Sequence, residues 1–132
     1  MIKFNYCILY VTDVARSMEF YENTFGFTRK FITPDNDYGE LSTGETSIAF
    51  ASKPLASSNL KEGFIESALS NKPFGIELGI TTDNVHLLIE KAMQNGAVVI
   101  EKPVQKTWGQ TVAYIRDIDG FLIEICTPVN QE

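Results

Sequence analysis

Residues 7–27, CILYVTDVARSMEFYENTFGF, decide how this 132-residue chain is read, because residues 75–97, GIELGITTDNVHLLIEKAMQNGA, repeat their plan. Each stretch begins as an extended aliphatic run, passes a Thr-Asp pair (Thr12-Asp13, Thr82-Asp83), continues with helical periodicity and stops at a glycine. In both copies the glycine stands 13 residues after the aspartate, and the copies are about 70 residues apart. A short polar side chain ahead of a helix accepts its free N–H groups, so Asp13 and either Asp83 or Asn84 are the expected N-caps. Gly26 and Gly96 supply the left-handed residue that ends a helix. Val14, Met18, Tyr21 and Phe25 form one apolar stripe, and Val85, Leu88, Ile89 and Ala92 form the other.

Strand-like runs follow each helix. They are TRKFIT (28–33), DYGELST (37–43) and TSIAFAS (46–52) in the first half. AVVIEKP (97–103), TVAYIRD (111–117) and GFLIEICTP (120–128) follow in the second. Each half reads β-α-β-β-β, giving an α+β chain of two modules at about 1–52 and 74–129. The segment 53–73 between them is a linker with one short helix expected at FIESAL, 64–69. A half this small cannot bury its own sheet, so the whole of 1–132 is expected to act as a single domain. Asp119-Gly120 marks the last hairpin turn.

Composition bounds the function. At 44% hydrophobic and 21% charged, the chain can build a full core. Its net charge of -6 offers no basic stripe for phosphates, which argues against a nucleic-acid partner. No apolar run reaches the roughly 20 residues of a membrane span, and the first residues lack a secretory signal, so a cytoplasmic, membrane-free protein is expected. Cys7 and Cys126 sit in strand-like runs without a CxxC or Cys/His cluster. They read as reduced, buried thiols, with a disulfide left open by sequence.

Alternation along the strands sorts the remaining residues by face. Leu9 and Val11, Ile48 and Phe50, Ile76, Leu78 and Ile80, and Ile123 and Ile125 make the aliphatic faces expected to carry the helices. The opposite faces collect Tyr6, Tyr10, Ala49, Glu77 and Glu124, with Gly75, Gly79 and Ala51 leaving room. This mixture of aromatics, small residues and carboxylates fits a pocket. A plain solvated sheet face with two surface glutamates fits the same pattern.

The pattern V-x-D-x-x-x-S-x-x-F-Y-x-x-x-x-G-F from Val11 to Phe27, and W-G-Q with R-D-x-D-G-x-x-x-E-I from Trp108 to Ile125, resembles the glyoxalase/bleomycin-resistance/dioxygenase (vicinal oxygen chelate) superfamily. The resemblance covers both modules. It implies that the strands curl into a partly open barrel of mixed sheet around a pocket, and that metal-using members carry ligands at the positions of Tyr6, Ala49, Glu77 and Glu124. Only Glu124 matches the usual ligand. A phenol binds a metal only after losing a proton of pKa about 10, and alanine has no donor atom. An iron dioxygenase needs two histidines and a carboxylate, and the one histidine, His86, lies on a helix.

These residues and the resemblance together predict a small-molecule-binding protein without a cofactor or catalytic metal, a homodimer that sequesters a cationic or aromatic compound such as an antibiotic. The expected pocket is Tyr6, Tyr10, Ala49, Glu77, Trp108, Gln110, Tyr114, Arg116 and Glu124, with Tyr38 as a further stacking surface. Aromatics and acids would attract a cation, and Gln110 and Arg116 would direct hydrogen bonds. The alternative is a metal-dependent lyase or isomerase that uses Glu77 and Glu124 as ligands for a hard divalent cation such as Mg or Mn, or as proton-transfer bases. A third possibility is a vestigial pocket on a protein-contact module.

Overall fold

The computed structural model describes residues 1–129, and the chain forms two compact units, Met1–Glu66 and Ser67–Glu132. In the first, β1 (Tyr6–Val11) leads to α1 (Val14–Phe25), then β2 (Thr28–Ile32), β3 (Tyr38–Ser42), β4 (Ser47–Ser52) and α2 (Lys53–Asn59). In the second, β5 (Glu77–Thr81), α3 (Val85–Gln94), β6 (Val98–Gln105), β7 (Thr111–Arg116) and β8 (Leu122–Cys126) repeat the β-α-β-β-β order. Each unit is an open, four-stranded mixed sheet. The strand orders are β1-β4-β3-β2 and β5-β8-β7-β6, so the first and last strands of each module pair in parallel and neither sheet closes on itself.

Local chemistry sets the helix ends. The Asp13 side chain accepts the Arg16 N–H at 3.1 Å, a cap of about 1 kcal/mol by general experience. Gly26 closes α1 at φ 74 with its N–H on the Glu22 carbonyl. In the second copy Asn84, not Asp83, is the cap, accepting Leu87 N–H at 3.1 Å. The helix runs to Gln94, Asn95 caps it, and Gly96 takes the positive φ one residue later.

The cores follow the expected stripes. Val14, Met18 and Tyr21 bury against Leu9, Val11, Leu41, Ile48 and Phe50, with the Tyr21 and Phe50 rings 5.2 Å apart. Gly39 lets α1 settle on β3, because a Cβ there would collide with the Met18 sulfur. In the second unit Val85, Ile89 and Ala92 pack with Ala113, Ile115, Ile123 and Ile125. Ile76, assigned to the aliphatic face from sequence, is instead exposed and precedes β5.

The helix expected at FIESAL is absent, since 64–69 is irregular. The connecting helix is α2, ten residues earlier, because Ser52 caps it by accepting Leu55 N–H and Pro54 fits its first turn. Among the described residues no helix is long and apolar enough to cross a membrane.

Candidate functional site

The four positions singled out by sequence divide between the units. Glu77 and Glu124 stand on the second sheet, Tyr6 and Ala49 on the first.

On the second sheet Glu124 is the hub. In register it lies between Gly79 of β5 and Tyr114 of β7, on the face opposite α3. Gly79 leaves space on one side. On the other, the Tyr114 hydroxyl donates to Glu124 Oε2 at 3.0 Å. That bond, then burial and the charges of Glu124 and Glu77, push the Tyr114 phenol up to about 12, so it remains a donor at every physiological pH. Partial burial, the charge of Glu124 and a hydrogen bond between the two carboxyls raise the Glu77 carboxyl above its ordinary value. The Cys126 thiol rises to about 11, through burial first and then its hydrogen bond to Glu124 and the nearby carboxylate charges, against a lowering bond from Gln110. A carboxylate that costs free energy in an apolar strand is thereby surrounded by partners, and the half-buried Glu124 is more than a surface charge.

The first sheet carries a related arrangement one strand over. Ala49 of β4 is fully buried and flanked in register by Ile8 and Glu40. Glu40 Oε2 accepts the Tyr38 hydroxyl at 2.9 Å, and Lys30 Nζ reaches Glu40 Oε1 at 3.6 Å and Ser47 Oγ at 3.3 Å. Burial, then the hydrogen bond to Glu40 and the charges of Glu40 and Tyr6, raises the Tyr38 phenol well above the ordinary range. Tyr6 is partly exposed at the start of β1, and the Tyr10 ring meets Phe64 edge-on at 4.8 Å. Glu40 and Lys30 were missed from sequence. The available signal was the period of two in Tyr38-Gly39-Glu40, which puts both polar tips on one face.

Trp108 and Gln110 lie at the leading end of β7. The indole N–H donates to Gln110 Oε1 at 2.8 Å, and Gln110 Nε2 donates to the Thr127 carbonyl at 2.8 Å. They border a cavity of about 400 Å³ together with Asp83, Thr127 and Pro128.

Arg116, assigned to the pocket from sequence, is engaged with its own backbone surroundings. Its guanidinium, in a residue only 6% exposed, donates to the carbonyls of Gly120 (2.9 Å), Ala68 (3.0 Å), Asn71 (2.6 Å) and Leu69 (3.4 Å). Ser67 adds a bond to the Asp119 carbonyl at 2.9 Å. The segment 67–71 is so close that a Cβ on Gly120 would lie 2.8 Å from the Ala68 backbone. Asp117 shapes the same turn by accepting the Asp119 and Phe121 N–H groups, each at 2.9 Å.

Chemically, the second sheet offers two carboxyls, that of Glu77 raised above its ordinary value, and a phenol bonded to Glu124. It offers no thiolate, since Cys126 is held protonated near neutral pH. Both cysteines are free. His86 is exposed on α3. Among the described residues no three of His, Cys, Asp and Glu are grouped as a metal site.

Comparisons with known proteins agree on the lineage. The Virulence protein STM3117 of Salmonella typhimurium is 26% identical over 93% of this chain and 82% of its own length. Lactoylglutathione lyase GLX1 of Arabidopsis thaliana is 28% identical over 93% of this chain, which spans only 43% of that protein. A glyoxalase-related enzyme from Fulvimarina pelagi superposes with a TM-score of 0.80 at 18% identity, over 97% of this chain and 89% of that one. The family profile matches residues 3–125, and the chain belongs to the Glyoxalase/Bleomycin resistance protein/Dioxygenase superfamily.

Proposed function

We propose that this member binds a small organic molecule, cationic or aromatic, against the Tyr114–Glu124–Glu77 face, as a cytoplasmic homodimer and without a catalytic metal. The observation that carries the reading is the donor chemistry at the four inherited positions. Ala49 has no donor atom, Tyr6 offers a phenol, and only Glu77 and Glu124 carry carboxyls. Those two carboxyls are then the whole of the strong donor set at these positions, and among the described residues no third His, Cys, Asp or Glu is grouped with them. The donor set therefore does not fit a resident metal ion, and no step is assigned to one. The same groups suit an ammonium or hydroxyl-bearing ligand, with Glu124 as acceptor and the Tyr114 ring as an apolar wall.

The test is metal analysis of the purified protein, then thermal-shift titration with Ni, Mn, Mg and Zn and with a panel of aromatic amines. The expected result is no retained metal, no shift with any metal, and shifts with amines that shrink in Glu124→Gln. Sedimentation is expected to give a dimer.

A second reading, a metal-dependent lyase or isomerase using Glu77 and Glu124, has two supports: the paired carboxyls and the 28% identity to a lactoylglutathione lyase. A tight Mn or Ni complex lost in Glu124→Gln would establish it in place of the first.

A further inference from the structure

We propose that the cavity beside Trp108 is a separate binding site for small organic ammonium ions, with Asp83 as the counter-charge and the indole face as the contact surface.

The repeat itself points to Asp83. In the first module Asp13 caps its helix, with its side chain on the Arg16 N–H. In the second the cap has moved one residue to Asn84, which accepts Leu87 N–H. Asp83 is left exposed, and among the described residues no hydrogen bond or ion pair engages its carboxylate. It borders the 400 Å³ cavity together with Trp108.

The aromatic part of the lining is preorganised. Trp108 is the only tryptophan in the chain and is 66% exposed, yet its ring is tethered. The indole N–H is used on Gln110, whose own amide is fixed on the Thr127 carbonyl. With that donor occupied, the free chemistry of the indole is its electron-rich face, which attracts a cation. Among the described residues no lysine or arginine borders the cavity, and the chain carries a net charge of -6, so an anion is disfavoured. The volume admits a trialkylammonium group with a short tail.

This site goes beyond the proposed function, since it needs neither Glu124 nor Tyr114. The single tryptophan makes it directly readable by fluorescence. Choline chloride is titrated at constant ionic strength against its neutral isostere, 3,3-dimethylbutan-1-ol. The expected result is a saturable change in Trp108 emission, with choline binding about tenfold more tightly than the alcohol. Asp83→Asn, which removes no cap, is expected to weaken choline about fivefold. Glu90→Gln, an equal charge change on an exposed position of α3, is expected to leave it unaltered.

Equal binding of the alcohol, equal effects of the two variants, or no saturable response from folded protein would each overturn the proposal. Shrinkage of the amine shifts in Glu124→Gln reads the other face, so failure of either site is told apart from failure of the other.

Discussion

The Tyr114 hydroxyl and Glu124 Oε2 meet at 3.0 Å across paired strands, so the charge that interrupts the apolar run of β8 is matched from the strand directly beside it. Tyr114→Phe keeps the ring and removes only the donor. A loss of about 1 kcal/mol in unfolding free energy at pH 7 is expected, read by urea denaturation. The phenol is raised from its ordinary value to about 12 on folding, so its contribution is complete below pH 10 and fades between pH 10 and 12. The difference between wild type and Tyr114→Phe is therefore expected to shrink over that interval. A difference constant through pH 11.5 would refute the bond's role.

Glu77 gives a pH signature of the same sign in the carboxyl range. Its carboxyl is raised, so the folded state is favoured while it stays protonated and loses that advantage as pH climbs through the raised value. Glu77→Gln is expected to raise Tm relative to wild type at pH 7–8 and to give no gain at pH 4. A gain of the same size at both pH values would place the effect outside this carboxyl pair.

Arg116 is expected to dominate the stability of the second unit. Arg116→Ala strands four backbone carbonyls and empties a buried site, a loss of about 3 kcal/mol. Arg116→Lys recovers only part of it, because one ammonium cannot reproduce the planar fork. Limited proteolysis should cut first within 67–71 in either variant.

Cys126 is buried and its thiol sits at about 11, so thiolate is scarce at neutral pH. Labelling with a thiol reagent at pH 7.5 is expected to be slow in native protein and complete once denaturant is added. Burial also raises the thiol of Cys7, which is half-buried. Rapid native labelling of Cys126 in a Cys7→Ser background would contradict the packing of β8.

Much of the fold was readable because its signals are local. A cap at Asp13, a glycine at 26 and an apolar stripe on α1 each act within a few residues, and their recurrence near Asn84 and Gly96 exposed the duplication. α2 was missed because Ser52, its cap, was read as the end of the strand-like run 46–52, and Pro54, its first-turn proline, as part of the linker. The site was less legible, since its contacts depend on register between distant strands. Tyr114 meets Glu124 only once β7 and β8 are aligned, and Glu40 takes its place opposite Ala49 only through the pairing of β3 with β4. Arg116 resembled a pocket residue in isolation, and only the return of 67–71 shows which carbonyls its guanidinium serves.

The pairing of Glu40 with Ala49 also constrains how this lineage can change. Introducing a carboxylate by Ala49→Glu would insert a charge at a position with no exposure, directly across from an existing one. Like charges opposed across strands repel, and here one would be buried as well. Any route to a carboxylate at position 49 therefore passes through Glu40. Its charge would have to go before one at position 49 could be accommodated, and that first change must also release Lys30 and Tyr38 from their present partner.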